Sequence, residues 1–430
     1  MKEVKRISLI IALNIVLLLT GCGNTKDINS VQDNKEELTL VNNDEQTDII
    51  LESVEVEDNT YENIDEEPVI QEGEPVIQEG EPVVLPPEPE YFKVDMLMVG
   101  DSLIHSGVYK AAKQSDGTYN FNEMFEYTKK DIDEADIAII NQETIFIEDK
   151  NLMSSYPMFG SPTEVGDAEA LAGFDVIAHS TNHTIDKKLT GINDTINFWE
   201  TNYPDITYLG IHNTTEESDV KYLERNNIKF AFVNYTYGLN GLEPWREGNE
   251  YMIDMLTDYD IEDTLAEAEE NADLTIAILH VGTEYVYKPT DYQQEQVDRF
   301  IDNGADIVFC AHPHVVQPYE MRETAQGNKG LVYYSLGNYI SSQDEIPRII
   351  GGMAKVTIEK KVEELEETVY IKQYSMEPLV THQESGYYTT YKLEDYTDEL
   401  CKRHKLQSKK NFDCEYLWNF YRGIIENKEE

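Results

Sequence analysis

The sequence predicts an α/β protein, and three observations carry the prediction. From Tyr91 onward, short apolar and β-branched runs alternate with amphipathic stretches, the pattern of βαβ units whose sheets are covered on both faces. Five of these runs are followed at once by Asp, Glu, Asn or His, and open α/β sheets bind their ligands in the crevice outside the carboxyl ends of the strands. Before Tyr91 the chain is acidic, poor in aromatic residues and broken by proline, a composition that buries too little apolar surface to offset the entropy of folding.

The N-terminal segment carries Lys2, Lys5 and Arg6, then a largely apolar stretch from Ile7 to Leu19, then Thr20-Gly21-Cys22. A charged n-region and an apolar h-region make a secretory signal, and small residues ahead of a cysteine replace the usual A-x-A site. This predicts a lipoprotein signal peptide over residues 1–21, cleavage before Cys22 and lipidation of its thiol. The mature chain would then be lipid-anchored at the extracellular face of a bacterial cell membrane. Residues 22–90 read as an acidic, Pro/Glu-rich tether, in which Glu67-Pro68-Val69-Ile70-Gln71-Glu72-Gly73 recurs as Glu74 to Gly80 and restarts at Glu81. Charge self-repulsion and proline stiffness keep such a segment extended.

A formal net charge of −50 argues against nucleic acid as a partner and repels polyanions at long range. An anionic substrate would need a bound metal or a local cluster of cations. With Cys22 lipidated, Cys310, Cys401 and Cys414 remain, an odd number that leaves a Cys401–Cys414 bridge open and gives no disulfide framework. Cys310 lies in an apolar run and reads as a small buried residue.

The folded part divides into a main domain over 91–345 and a C-terminal region over 346–430. Strands are expected at Val94–Val99, Ile137–Ile140, Val176–His179, Ile206–Leu209, Ile228–Val233, Leu274–Leu279, Ile307–Cys310 and Leu331–Ser335. Each is a short apolar run bounded by turn residues. Helical patterns fall at Asn122–Lys130, Thr190–Thr201, Ile261–Ala272 and Tyr292–Asn303. Alternating runs at Gly352–Glu359 and Glu367–Tyr374 predict a β-hairpin. The tail from Leu393, with Trp418, Phe420 and Tyr421, reads as helical and packed on the domain.

The polar residues at the strand ends are Asp101 with His105 beyond, Asn141 and Glu143, Asn182-His183 with Asp186, His280, and the pair His312 and His314 around Pro313. Singly they have ordinary readings: Asp101 as a turn or helix cap, Asn182 as an Asx turn, His280 as a core histidine. Together they form an oxygen and nitrogen donor set larger than the four ligands of a closed zinc site. Such a set suits two metals about 3.5–4 Å apart bridged by a carboxylate, for which Glu143 or Asp101 qualifies. Asp186 either orients His183 through a ring N–H or pairs with Lys187. The run Tyr333-Tyr334-Ser335-Leu336-Gly337-Asn338 is expected to finish the sheet and shape the pocket wall, with Gly337 and Asn338 in a tight turn.

Met98-Val99-Gly100-Asp101, Asn141-Gln142-Glu143, Thr181-Asn182-His183 with Asp186, His280-Val281-Gly282-Thr283-Glu284-Tyr285, His312-Pro313-His314-Val315-Val316-Gln317 and Tyr334-Ser335-Leu336-Gly337-Asn338-Tyr339 resemble the successive motifs of the CapA (PgsA-like) poly-γ-glutamate capsule synthesis proteins. That family belongs to the calcineurin-like metallophosphoesterase superfamily. The resemblance runs from about Phe92 to Ser342 and implies a four-layer αββα sandwich with a dimetal site at the strand ends. It also implies two divalent metal ions, with Mn, Fe or Zn as the candidates. Asp101 and His314 would serve one metal, Asn182, His280 and His312 the other, and Glu143 would bridge them. His183 would be the non-ligand histidine that protonates a leaving group, with Asp186 as its partner. His105 and Asn141 are possible additional ligands. Two departures stand out. Leu103 occupies the third position of the superfamily's Asp-x-His element, leaving His105 as the nearby imidazole, and Lys188 stands where many CapA-like sequences have glycine.

The functional expectation is a surface lipoprotein acting in poly-γ-glutamate or related capsule synthesis or export, with a metallohydrolase-type site. Its partners would be the membrane, a membrane-embedded synthase complex and an anionic polymer or phosphoester. The alternatives are a non-catalytic capsule assembly or binding subunit, and a general extracellular metallophosphoesterase.

Overall fold

The computed structural model describes residues 88–426, apart from residues 216, 365, 410 and 411. The expected signal peptide, Cys22 with its expected lipidation, and nearly all of the expected tether lie outside the described residues. The strands in chain order are β1 (Glu90–Ser102), β2 (Ile137–Asn141), β3 (Phe146–Ile147), β4 (Ser161–Pro162), β5 (Val176–Ala178), β6 (Thr207–Leu209), β7 (Lys221–Arg225), β8 (Ile228–Thr236), β9 (Leu274–His280), β10 (Ile307–Ala311), β11 (Tyr319–Glu323), β12 (Lys329–Tyr333), β13 (Asn338–Ile340), β14 (Ile350–Glu363), β15 (Glu366–Glu384) and β16 (Tyr387–Lys392). The α-helices are α1 (Ser106–Ala112), α2 (Lys129–Glu134), α3 (Glu164–Ala172), α4 (Lys188–Asn202), α5 (Ile261–Asn271), α6 (Asp291–Asp302), α7 (Asp398–Arg403) and α8 (Cys414–Glu426).

Two mixed sheets result. One has the order β16-β15-β14-β1-β2-β5-β6, with β13 also on β1, and the other the order β11-β12-β10-β9-β8-β7. Strand alternation explains how they stack, because successive side chains point to opposite faces. Met96, Met98, Ile137 and Ile139 from the first sheet share one core with Phe230, Phe232, Ile276, Ile278 and Phe309 from the second. Their neighbours Leu97, Val99, Ala138 and Ile140 pack instead with Val108, Ile132, Val165 and Trp199, which lie on α1 to α4. On the second sheet Val233, Ala277, Leu279 and Val308 pack with Leu265, Val297 and Phe300 of α5 and α6. The central strands of each sheet, such as β2, β9 and β10, are thus buried on both faces, as near-continuous apolar strands demand.

All eight expected strands form. The helix expected at Asn122–Lys130 does not: a 3-10 turn at Asn122–Met124 is followed by turns and then by α2. Thr128 breaks the pattern, since its hydroxyl bonds the Phe125 carbonyl at 3.3 Å and the Tyr339 hydroxyl at 2.6 Å. Side-chain bonds of this kind compete with helical ones. The C-terminal hairpin is part of the first sheet. β14 runs antiparallel to β1 from Glu90↔Val362 to Val99↔Met353, and Leu400 and Leu417 of the tail reach the core between the sheets. Cys310, Cys401 and Cys414 are free thiols. No helix of the described residues is long and apolar enough to cross a membrane.

Candidate metal centre

The parallel strands of both sheets end side by side, and their registers align the polar residues. Asp101 pairs with Asn141 between β1 and β2, and His280 lies opposite Ala311 between β9 and β10. Gly100 permits this, because a Cβ there would stand 1.9 Å from the Gly337 carbonyl oxygen, which accepts a hydrogen bond from the Asp101 amide at 2.9 Å. His312 and His314 are held at φ 101 and φ 56 on either side of Pro313. Left-handed conformations at non-glycine residues cost about 1–3 kcal/mol each and persist only where the surroundings hold them.

Glu143 is the centre of the arrangement. It is 1% exposed, and neither of its carboxylate oxygens has a hydrogen-bond partner among the described residues. Its Oε1 lies 3.7 Å from His314 Nε2, 3.8 Å from His280 Nε2 and 4.0 Å from His183 Nε2. Burial drives its acid well above the carboxylate range, against the pull of His314. Asp101 Oδ2 meets His314 Nδ1 at 3.0 Å, and its Oδ1 accepts from the Asn141 amide at 2.8 Å. Donor atoms of Asp101, Glu143 and His314 lie within 4.8 Å of one another. On the other side, His280 Nε2 lies 3.0 Å from Asn182 Oδ1, and the His280 and His312 rings are 5.0 Å apart. His312 Nδ1 and Asn141 Oδ1 are also buried without partners.

Electrostatics divide the imidazoles. Burial, then repulsion from neighbouring histidines, drives His312 down to about 3 and His280 well below its ordinary value. Both are therefore neutral, the form in which imidazole binds metal. For His314 burial pulls the other way but Glu143 and Asp101 outweigh it, raising it to about 9. The carboxylates thus draw a positive charge into their midst, and orphaned oxygens beside neutral imidazoles are the donor set a divalent cation takes.

His183 stands apart from this set in its bonding. Its Nδ1 is 2.7 Å from Asp186 Oδ2, which also accepts from the Phe159 amide at 2.6 Å, and its ring packs edge-on to Phe159. Lys187 bonds Ser154 Oγ instead, so of the two readings of Asp186 the histidine partnership is the one formed.

The family model for the bacterial capsule synthesis protein PGA_cap matches residues 95–343, more than half of the chain and the span that contains every one of these residues. The chain belongs to the PGA_cap family. Within it, this PGA_cap protein is 26% identical over 260 residues to the capsule biosynthesis protein CapA of Bacillus anthracis, covering 58% of this chain and 60% of that one. It is 25% identical over 247 residues to the PGA biosynthesis protein CapA of Bacillus subtilis, covering 57% and 62%. The chain therefore matches about three fifths of the length of these curated relatives. Among solved structures, NAD nucleotidase of Haemophilus influenzae is similar at 10% identity and a TM-score of 0.40, over 78% of this chain and 60% of that one.

The PGA_cap centre has two neighbours that the sequence did not single out. Asn338, expected in a turn, directs Oδ1 to His314 Nδ1 at 3.1 Å and donates to the Arg348 carbonyl at 2.8 Å. Asn240 donates to the Asn182 carbonyl at 3.1 Å. Asn338 opens β13, a few residues past the end of β12 at Tyr333, so only its nearness to that strand end resembles the signal that marked the other residues. His105 turns aside: Nδ1 faces the Leu103 carbonyl and the Ser342 amide, and its ring lies against Phe159. Lys188, in place of the usual glycine, takes φ 57 and lays its Nζ 3.5 Å over the Trp245 ring.

Proposed function

We propose that this PGA_cap protein works at the outer face of a bacterial cell membrane, anchored through Cys22, in the synthesis, export or attachment of poly-γ-glutamate or a related capsule polymer. Asp101, Glu143, Asn182, His280, His312 and His314 hold two divalent ions there, of the Mn, Fe or Zn kind, and hand the polymer to or from a membrane-embedded synthase. The observation that carries the reading is the buried, unpartnered Glu143 carboxylate within 4.0 Å of three imidazoles. The names of the Bacillus relatives support the capsule setting, and Leu19-Thr20-Gly21-Cys22 supports the anchor.

Bound divalent ions supply Lewis acidity toward a phosphoryl or acyl oxygen and lower the pKa of water. The protein's own residues do the rest. Asp186 fixes the His183 ring by accepting from Nδ1–H, and in the imidazolium form the second proton, on Nε2, would pass to the departing oxygen and leave the neutral ring. Arg348, stacked 3.7 Å over Tyr285, and Lys188 over Trp245 place cations that offset the acidity of the chain toward an anionic polymer.

The test is metal content together with phosphodiester and γ-glutamyl hydrolysis by the purified protein, wild type against His312→Ala. Wild type should retain divalent metal and cleave one of the two bond types, with both properties reduced in the variant. A wild-type protein that binds no divalent metal, with capsule formation intact in cells carrying His312→Ala, overturns the reading.

A further inference from the structure

A second group of metal-type donors lies outside the centre described above. His212 follows β6, Asp219 precedes β7 and Asp254 lies in the segment after β8. His212 Nε2 is 2.8 Å from Asp254 Oδ1 and 3.6 Å from Asp219 Oδ1, and one donor atom from each of the three lies within 4.8 Å of the others. Bonds of about 2.0–2.2 Å to a tetrahedral ion set donor atoms roughly 3.3 Å apart, so the observed separations straddle what a shared cation requires.

Two further observations point to a ligand. His212 is 1% exposed and Asp254 3%; His212 Nε2 faces Asp254 Oδ1, yet Asp254 Oδ2 has no hydrogen-bond partner among the described residues, nor has His212 Nδ1, which faces Glu217 Oε2 at 3.7 Å. Buried polar atoms are normally satisfied, and each orphan costs about 1–3 kcal/mol. The cluster also opens on a cavity of about 260 Å³ bordered by Glu217, Asp219, Asp254, Asp258 and Arg246. Arg246 is already committed to both oxygens of Asp258 at 2.9 and 2.7 Å, and Lys221 approaches Glu217 only at 3.7 Å.

The backbone fixes this place. The Asp254 amide donates to the Gly210 carbonyl, the His212 amide to the Met252 carbonyl, and the Asp254 carbonyl accepts from Ser180 Oγ at 2.6 Å. The donors therefore sit on chain segments already tied together, which is the preorganisation a structural ion needs.

We propose that His212, Asp219 and Asp254 form a separate structural site for a divalent transition-metal ion, Zn²⁺ or Mn²⁺, completed by Glu217 or water. The imidazole favours such an ion over Ca²⁺ or Mg²⁺, which take all-oxygen shells. Bound there, it pins the connection between β6 and β7 to the segment after β8. The competing arrangement, an imidazolium clamped by two aspartates with no metal, has the same residues and a different response to added ions.

The experiment uses the full chain carrying Asp101→Asn, His312→Ala and His314→Ala, which removes ligands of both ions of the first centre so that it does not mask the second. After equilibration with Zn²⁺ or Mn²⁺ and desalting, bound metal is counted and melting is followed with and without chelator. The expected result is about one retained equivalent of one of these ions and a higher melting temperature when it is bound, both lost on adding Asp219→Asn. Asp219 is part-exposed and the change is isosteric, so melting in chelator should be little altered; His212→Gln serves as a second variant and should lose the same equivalent. A first-centre variant that retains neither ion, or an ion content unchanged by both second-site substitutions, overturns the proposal.

Discussion

At Glu143, burial and function oppose each other. A carboxylate without partners in a desolvated site destabilises the metal-free protein, so Glu143→Gln should raise the melting temperature in chelator while abolishing the gain that divalent metal confers on wild type. His314 gives a pH signature in the same metal-free state. Its folded value of about 9 lies above the ordinary 6.5, so its contribution is complete below 6.5 and is lost as pH rises through 9. Chelated wild type should lose stability over that window, and His314→Gln should flatten the loss; a melting profile unchanged by the substitution would contradict it. For His183, the 2.7 Å contact with Asp186 assigns Asp186 to positioning. Asp186→Asn should lower turnover by about 10–100-fold and alter the pH–rate profile, with metal content unchanged by elemental analysis.

Among the elements, the parallel pairing of β1 with β13, Asp101 opposite Asn338, sets the centre. A methyl group at Gly100 has no room beside the Gly337 carbonyl, and backbone cannot yield as a flexible side chain does. Gly100→Ala should therefore cost about 3 kcal/mol or prevent folding, measured by chemical denaturation. At the start of β10, Asp306 accepts the Thr275 amide at 2.8 Å and ties β9 to its neighbour. Burial raises its acid from 3.8 to about 6. A raised carboxyl favours the fold below 3.8 and loses that contribution as pH climbs through 6. Asp306→Asn, which keeps an acceptor, should gain about 1–2 kcal/mol at pH 7.5 and nothing at pH 4. The strands themselves were legible because apolar runs of four to six residues between turn signals leave little else for the chain to do. The helix expected at Asn122–Lys130 was not, because Thr128 is spent on Tyr339, a partner 211 residues away.

For the whole molecule, β14 makes the first sheet complete. It pairs with β1 along almost its full length, and Ile350, Val356 and Ile358 enter the core between the sheets. A chain ending at residue 345 would expose β1 as an open edge and leave that core unfilled, so residues 88–345 should show no cooperative melting whereas 88–426 should. The family match stops at residue 343, just short of what the sheet requires. Local patterning determined the strands, the class and the inventory of donors at the strand ends, because periodicity and residue chemistry are properties of a few neighbours in the chain. Only tertiary structure decided which donors meet. His314 was an expected ligand and His105 a possible additional one as sequence; in the fold His105 faces a local carbonyl and His314 closes on Asp101, 213 positions away. Asn338 entered the centre and Asp186 chose His183 over Lys187 for the same physical reason. Hydrogen bonds and burial depend on distances between strand ends, and those distances are set by register and packing, which no local window of residues contains.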